Sequence, residues 1–152
     1  MTGAVQIRRI EAEDLDRVLE IEQSSFGRDA WNRRLFLAYL RNRPELFLVA
    51  VRRRTVVGYA ITVVRSKQAE LESIAVDPRN RGSGIARGLA SQTRLELRRR
   101  GVRNWWLMVD VENESAIRFY TRYGFERVRR SKGYYGAGRD AWRMRYAIEE
   151  EA

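Results

Sequence analysis

Apolar and polar side chains alternate through residues 5–10, the period of a half-buried strand, and Leu15, Val18, Leu19 and Glu22 then recur at helical spacing. A strand therefore leads into a helix. Residues 24–31, with Gly27 among them, read as a loop, and Asn32 is placed to cap a second helix that must end before Pro44. Residues 46–51 and 56–64 are rich in β-branched and apolar side chains and flank the polar tip Arg52-Arg53-Arg54, as in an antiparallel hairpin. A strand at 70–76 follows and is stopped by Pro78. A helix over 84–100 sets Ile85, Leu89, Thr93 and Leu97 on one stripe and ends at Gly101. The remaining pattern predicts a strand at 105–109, a helix at 114–123 stopped by Gly124, and strands at 125–130 and 141–146.

This order, β-α-α-β-β-β-α-β-α-β-β, predicts an α/β (α+β) protein with a mixed central sheet of about seven strands flanked by about four helices. Only the crossovers through helices can make strands parallel. A ligand is expected outside the carboxyl end of the strand that precedes the glycine-rich turn, where a helix amino terminus and the sheet converge. A length of 152 residues suits one domain, 1–152, with a single core.

Composition narrows the chemistry. Cysteine and histidine are both absent, which excludes disulfides, thiolate nucleophiles, histidine bases and zinc sites built from the usual ligands. No metal is expected, and catalysis must use carboxylates, tyrosine, serine, lysine or the main chain. The formal charge of +10 comes almost wholly from arginine, because Lys67 and Lys132 are the two lysines. Such a surface attracts polyanions: a phosphorylated cofactor, RNA or an acidic protein. Arg52-Arg53-Arg54 at a hairpin tip and Arg98-Arg99-Arg100 at a helix end are also what solvent and a helix dipole favour. The hydrophobic content of 44% is that of a globular chain, and no apolar run approaches a membrane span. Residues 1–5 lack the basic segment and apolar core of a secretion signal, so the cytoplasm is the expected compartment.

The chemically richest stretch is Val76-Asp77-Pro78-Arg79-Asn80-Arg81-Gly82-Ser83-Gly84-Ile85-Ala86-Arg87, the end of a strand, a turn of glycine and arginine, and the start of a helix. Small residues let the main chain approach a ligand, and the unpaired amides of a first helical turn point at an anion. A strand–glycine–helix turn can also serve packing alone.

Arg81-Gly82-Ser83-Gly84-Ile85-Ala86 resembles the acetyl-coenzyme A signature of the GCN5-related N-acetyltransferase (GNAT) superfamily: Arg or Gln, two residues, Gly, one residue, then Gly or Ala. A frame starting at Arg79 has the same spacing, and the flanking Val76-Asp77-Pro78 and Leu89 favour the Arg81 frame. The superfamily's later motif is matched by Asn113-Glu114-Ser115-Ala116-Ile117-Arg118-Phe119-Tyr120 and by Tyr123-Gly124-Phe125. Within the superfamily, the run from Tyr134 and Tyr135 through Asp140-Ala141 to Met144 is similar to protein N-terminal acetyltransferases of the RimI and archaeal Ard1 type.

The resemblance implies a GNAT fold, acetyl-CoA or CoA as cofactor, and acetyl transfer to an amine. It implies that main-chain groups of Ile74, Ala75 and Val76 face the pantetheine arm, that the turn from Arg81 through Gly82, Ser83, Gly84, Ile85 and Ala86 to Arg87 holds the pyrophosphate, and that Asn113 and Tyr120 also touch the cofactor. Tyr120 is the implied proton donor, a phenol of pKa near ~10 suited to a departing thiolate. RimI-type enzymes often carry a glutamate base where this chain has Met108, which accepts no proton; the resemblance places Glu70 on the cofactor-contacting strand where related enzymes carry Glu, His or Tyr as a base, and Glu72, two residues on, shares its strand face. Both are also plausible solvated strand charges paired with arginine. The acceptor is expected along 24–31, through Phe26, Asp29 and Trp31, and under Tyr134 and Tyr135. Here the chain departs from the proline and Trp-Ser common in RimI-type enzymes, with Gly27-Arg28-Asp29-Ala30-Trp31-Asn32 instead.

The implied partners are protein or peptide N-termini, a ribosomal protein among them, with neither a membrane nor a nucleic acid expected as substrate. Monomer and homodimer both stay open. Two alternatives remain: a GNAT enzyme acting on a small amine or a lysine side chain, and a catalytically weak basic module associated with the ribosome or RNA.

Overall fold

The expected elements form in the expected order. The computed structural model describes residues 3–42 and 46–150, so Pro44, the expected stop of the second helix, lies outside them. The strands are β1 (Val5–Arg9), β2 (Phe47–Arg52), β3 (Thr55–Arg65), β4 (Gln68–Val76), β5 (Asn104–Asp110), β6 (Glu126–Ser131) and β7 (Ala141–Ala147). The helices are α1 (Leu15–Phe26), α2 (Arg33–Asn42), α3 (Ile85–Arg99) and α4 (Glu114–Tyr123).

The expected loop at 24–31 is shorter than its composition suggests. Serines 24 and 25 and Phe26 complete α1, and the chain leaves the helix only at Gly27, whose amide closes on the Gln23 carbonyl. A 3-10 turn, Gly27–Asp29, follows. Ser, like Asn or Asp, disfavours a helix interior but is tolerated in its last turn, so the break waits for the glycine. Asn32 does cap the second helix, its side-chain oxygen accepting from the Leu35 amide at 3.0 Å.

The residues divide into two compact units that share β4: one reaches to Val63 and includes Glu72–Glu96, and the other comprises Val64–Leu71 and the chain from Leu97 onward. Strands follow β1-β2-β3-β4 in the first unit and β4-β5-β7-β6 in the second, giving seven strands in the order β1-β2-β3-β4-β5-β7-β6. β1, β2 and β3 are successively antiparallel, β4 and β5 pair in parallel through Glu70 and Trp106, and β7 runs antiparallel to both β5 and β6. The sheet is mixed, and its parallel pair is joined by the crossover through α3, as only a long connection allows.

In the first unit β2 is buried on both faces. Phe47 and Val49 pack with Val18, Ile21 and Phe36 of α1 and α2, while the alternate residues Leu48 and Ala50 pack with Ile85 and Leu89 of α3. A strand covered on both sides reads as a continuous apolar run, which is what 46–51 is. In the second unit Trp105 is fully buried and meets Tyr123, Phe125 and Tyr146. The stop of α4 fits that cluster tightly: a Cβ on Gly124 would lie 2.8 Å from Tyr146 Cε2. The edge strand β6 exposes Arg127, Arg129 and Arg130, charges that discourage pairing with another chain.

Candidate active site

In the first unit the candidate groups gather where β4 gives way to α3. Asp77 caps the 3-10 turn Pro78–Asn80 and is only 4% exposed. Its carboxylate accepts from the Arg79 amide at 3.0 Å and from Arg17 Nη2 at 2.6 Å, and its own amide donates to the Val57 carbonyl at 2.8 Å. Burial opposes the charge, yet the Arg79 amide and the Arg17 and Arg79 guanidinium groups outweigh it and hold the Asp77 pKa down to about 2. Asn80 accepts from Arg52 Nη1 at 2.8 Å, and Ser83 Oγ donates to the Asn80 carbonyl at 2.7 Å. The turn is thus tied down from its own side chains and from β2.

Gly82 and Gly84 both have φ of 80°, a conformation costly for residues with a side chain, and a Cβ added at either would meet nothing within 4 Å. The space before the turn is open, and it is space that a side chain would occupy. Gly88 donates to the Gly84 carbonyl at 2.9 Å, so the amides of Ile85, Ala86 and Arg87 lie in the first turn of α3, where a helix has no acceptors of its own. The residues present fit a bound phosphate-bearing group. Arg81 donates its Nε back to the Val76 carbonyl at 3.3 Å, and Arg87 is exposed. Ile74 and Val76 pack on the α3 side, and Ala75 packs on the side of α1 and α2.

The expected acceptor residues of this unit part company. Phe26, 36% exposed, closes α1; Asp29 ends the 3-10 turn; Trp31 turns inward and stacks on Tyr39 at 5.1 Å with Phe36 at 5.3 Å. The Trp31 amide donates to Glu22 Oε2 at 2.9 Å. Glu22 also accepts from Tyr59 and, at 3.1 Å, from Ser73 Oγ. Helical spacing places Glu22 with Leu15, Val18 and Leu19, and an acid on that stripe is the signal the sequence carries. Glu72 is half-buried on β4.

The second unit collects the remaining candidates. Tyr120 is half-buried and packs against Phe119 and Phe125 at 5.5 and 5.6 Å. Dense surroundings around the hydroxyl, with the nearby Tyr135 phenol adding to them, push its pKa well above the usual phenol value, so it is an O–H donor at neutral pH. Asn113 caps α4 through the Ala116 amide at 3.3 Å, which accounts for its residue type. Glu70 lies 3.2 Å from Arg143 Nη1. The same guanidinium lies over Trp106, 4.5 Å from the ring centroid, and 3.5 Å from Met108 Sδ.

Tyr134 and Tyr135 are 54% and 38% exposed and meet edge to face at 4.9 Å. The Tyr135 hydroxyl donates to the Met108 carbonyl at 3.2 Å, so the loop is fixed to β5 at the residue that replaces the expected base. Arg139 reinforces this, pairing with Asp110 at 3.3 Å and lying over the Tyr135 ring. Glu70, Met108 and Tyr135 are therefore brought together, and the link between them, Arg143, was invisible in the sequence because it depends on the β5–β7 register that sets Met108 opposite Arg143.

Comparison with known proteins decides the family. Residues 13–125 match the acetyltransferase (GNAT) family, and the chain is 33% identical over 150 residues to the N-alpha-acetyltransferase RimI of Mycobacterium tuberculosis, covering 95% of this chain and 93% of that one. The chain belongs to the GNAT family of acetyltransferases. Another GNAT relative, the Escherichia coli [ribosomal protein bS18]-alanine N-acetyltransferase, is 32% identical over 131 residues, covering 85% of this chain and 86% of its own length. The chain spans 38% of the length of a longer Mycobacterium leprae relative, to which it is 36% identical. The Ard1 structure from Thermoplasma volcanium superposes with a TM-score of 0.91 at 29% identity, covering 97% of this chain and 99% of that one. The GNAT resemblance read from 81–86 and 113–120, and the RimI and Ard1 likeness read from 134–144, are borne out. So is the mixed seven-stranded GNAT sheet. Among the described residues no helix is long and apolar enough to cross a membrane.

Proposed function

We propose that this GNAT chain is an acetyl-CoA-dependent N-acetyltransferase that acts on the α-amine of protein or peptide N-termini, a ribosomal protein among them, with residues 1–152 working as one domain in the cytoplasm. The observation that carries the reading is the turn at 82–84: two glycines at positive φ, open space before them, and first-turn amides behind them. The names of the M. tuberculosis and E. coli relatives describe the same activity, on α-amines and on a ribosomal protein.

Acetyl-CoA, when bound, supplies an acyl carbon for a neutral amine to attack and a sulfur that needs a proton as it leaves. In this reading the amides from Gly82 to Arg87 grip the diphosphate, Arg81 and Arg87 add charge, and the main chain of Ile74, Ala75 and Val76 orients the acyl arm, with Asn113 as a further contact. Tyr120 holds the proton for the sulfur. Glu70, or Glu72, takes the proton of the amine, directly or through water. Phe26, Asp29, Trp31, Tyr134 and Tyr135 border the acceptor's path.

The residue at 108 favours an α-amine over a lysine side chain. Met108 offers no base, which leaves Glu70 or Glu72 to take the proton and suits an acceptor that is already largely neutral. An N-terminal amine, with pKa near ~7.7 to 8, is substantially neutral at cellular pH, whereas a lysine amine near ~10.4 is not.

Mass spectrometry of a peptide library incubated with acetyl-CoA tests this directly. Acetylation is expected on free N-termini and not on N-terminally blocked peptides with lysine or on polyamines; label on the latter two would replace the reading with the lysine or small-amine alternative. Tyr120→Phe is expected to lower kcat about a hundredfold with coenzyme affinity retained.

A further inference from the structure

A buried carboxylate usually faces a cation, a metal or a reacting group. Glu22 is 1% exposed and lies on α1, and among the described residues it is held by neutral donors. Its donors are a phenol, a hydroxyl and a peptide amide, and they are divided between its two oxygens. Oε1 accepts from Tyr59 on β3 and, at 3.1 Å, from Ser73 Oγ on β4. Oε2 accepts from the Trp31 amide at 2.9 Å, at the end of the segment that leads from α1 into α2. One oxygen is tied to the strands and the other to the loop.

We propose that Glu22 is a positioning residue for the acceptor: its carboxylate spans from the loop containing Trp31 to β4 at Ser73, the residue before Ile74, and so fixes the acceptor's path in register with the segment that orients the acyl arm. The proposal rests on the assignment of 24–31 and of Ile74 to Val76 made above. A carboxylate suits the task because it accepts on both sides at once and donates on neither. Each bond to a charged acceptor is also stronger than its neutral counterpart. The ring of Trp31, held by Tyr39 and Phe36, gives the loop a second anchor on α2, so the amide bond sets where the loop lies rather than whether it is ordered. Exposed Phe26 and the turn Gly27–Asp29 lie on the stretch governed by that bond.

Glu22→Gln separates the two sides. A glutamine has one oxygen, and if Tyr59 and Ser73 keep it, an amino group faces the Trp31 N–H and the loop loses its acceptor. Two measurements on purified protein read the consequence. Steady-state kinetics are expected to show KM for the peptide raised about tenfold, with kcat and KM for acetyl-CoA within about twofold of wild type. Hydrogen exchange is expected to quicken about tenfold at residues 27–32 and to stay unchanged in β2 and β3. Where Glu22→Gln does not fold, the double variant Tyr59→Phe with Ser73→Ala frees the carboxylate from the strands while leaving its bond to the Trp31 amide, and the same rise in peptide KM is expected. An unchanged peptide KM, or an equal rise for both substrates, overturns the proposal. If wild-type protein acetylates no peptide, the acceptor assignment fails on its own account and exchange decides the rest: unchanged exchange at 27–32 overturns the positioning role, and faster exchange confined there upholds it.

Discussion

The turn that follows β4 and the loop that precedes β7 are made of the same parts and present opposite surfaces. Each combines glycines at positive φ, Gly82 and Gly84 in one and Gly133, Gly136 and Gly138 in the other, with arginine and with an aspartate that accepts a main-chain amide. In the loop the amides are consumed internally: Tyr135 donates to Arg139, Gly136 to Gly133 and Arg139 to Gly136, all at 3.0 to 3.1 Å. What the loop exposes is the pair of tyrosine rings. In the turn the side chains do the bracing, through Asp77, Asn80 and Ser83, and the amides that begin α3 are what remains. Where the backbone hydrogen bonds go decides whether a glycine-rich segment offers main chain or side chain to a ligand. The two aspartates differ in kind as well: Asp77 is buried between arginines, whereas Asp140 stands near the surface, its pKa lowered by the Gly133 amide and then by Arg130.

That contrast can be broken in four places. The largest effect is expected from Gly84→Val, which strains the main chain and puts a side chain into the open space; acetyl-CoA affinity measured by calorimetry should fall about a hundredfold with the protein still folded. A glycine change in the tyrosine loop that cost as much coenzyme affinity would abolish the distinction.

Asp77→Asn comes next. The folded state holds the Asp77 pKa to about 2 against an ordinary 3.8, so the native protein binds fewer protons than the unfolded chain in this range. The stabilisation, about 2 kcal/mol, is fully present above the unfolded value and is lost as pH falls from about 5 toward 2. Urea unfolding across that window should show the wild type losing stability with acid and Asp77→Asn, weaker at neutral pH, following a flatter line.

Tyr135→Phe removes one hydroxyl bond, to the Met108 carbonyl, worth about 1 kcal/mol; KM for peptide should rise severalfold and acetyl-CoA affinity should not move. Asp140→Asn should do least, because its bond to Arg130 is a surface one: a melting-temperature change within about 2 °C is expected, and a larger one would mean that the loop depends on its aspartate as the turn does.

Strand and helix positions were legible along most of the chain, with boundaries within two residues wherever both ends had been assigned by pattern. Periodicity suffices there because each element buries a face, and burial leaves a repeat of two or of 3.6 in the sequence. The miss at 24–26 came from reading serines as loop formers when the helix could still carry them. The cradle at 81–87 was legible because it is made of adjacent residues whose types answer to main-chain geometry. Arg143 beside Glu70 and Met108, and Glu22 between Trp31 and Ser73, were not, since each contact joins residues from 9 to 73 positions apart.

The amino-acid order by itself determined the element types, the glycine turn before α3 and the GNAT resemblance, all of which depend on neighbours in the chain. Only the tertiary structure decided that β7 lies between β5 and β6, that Met108 faces Arg143, and that the carboxylate on α1 reaches β3, β4 and the Trp31 amide together. The reason is physical: local preferences act over a few residues, whereas register and burial are set by which faces can be taken out of water at the same time.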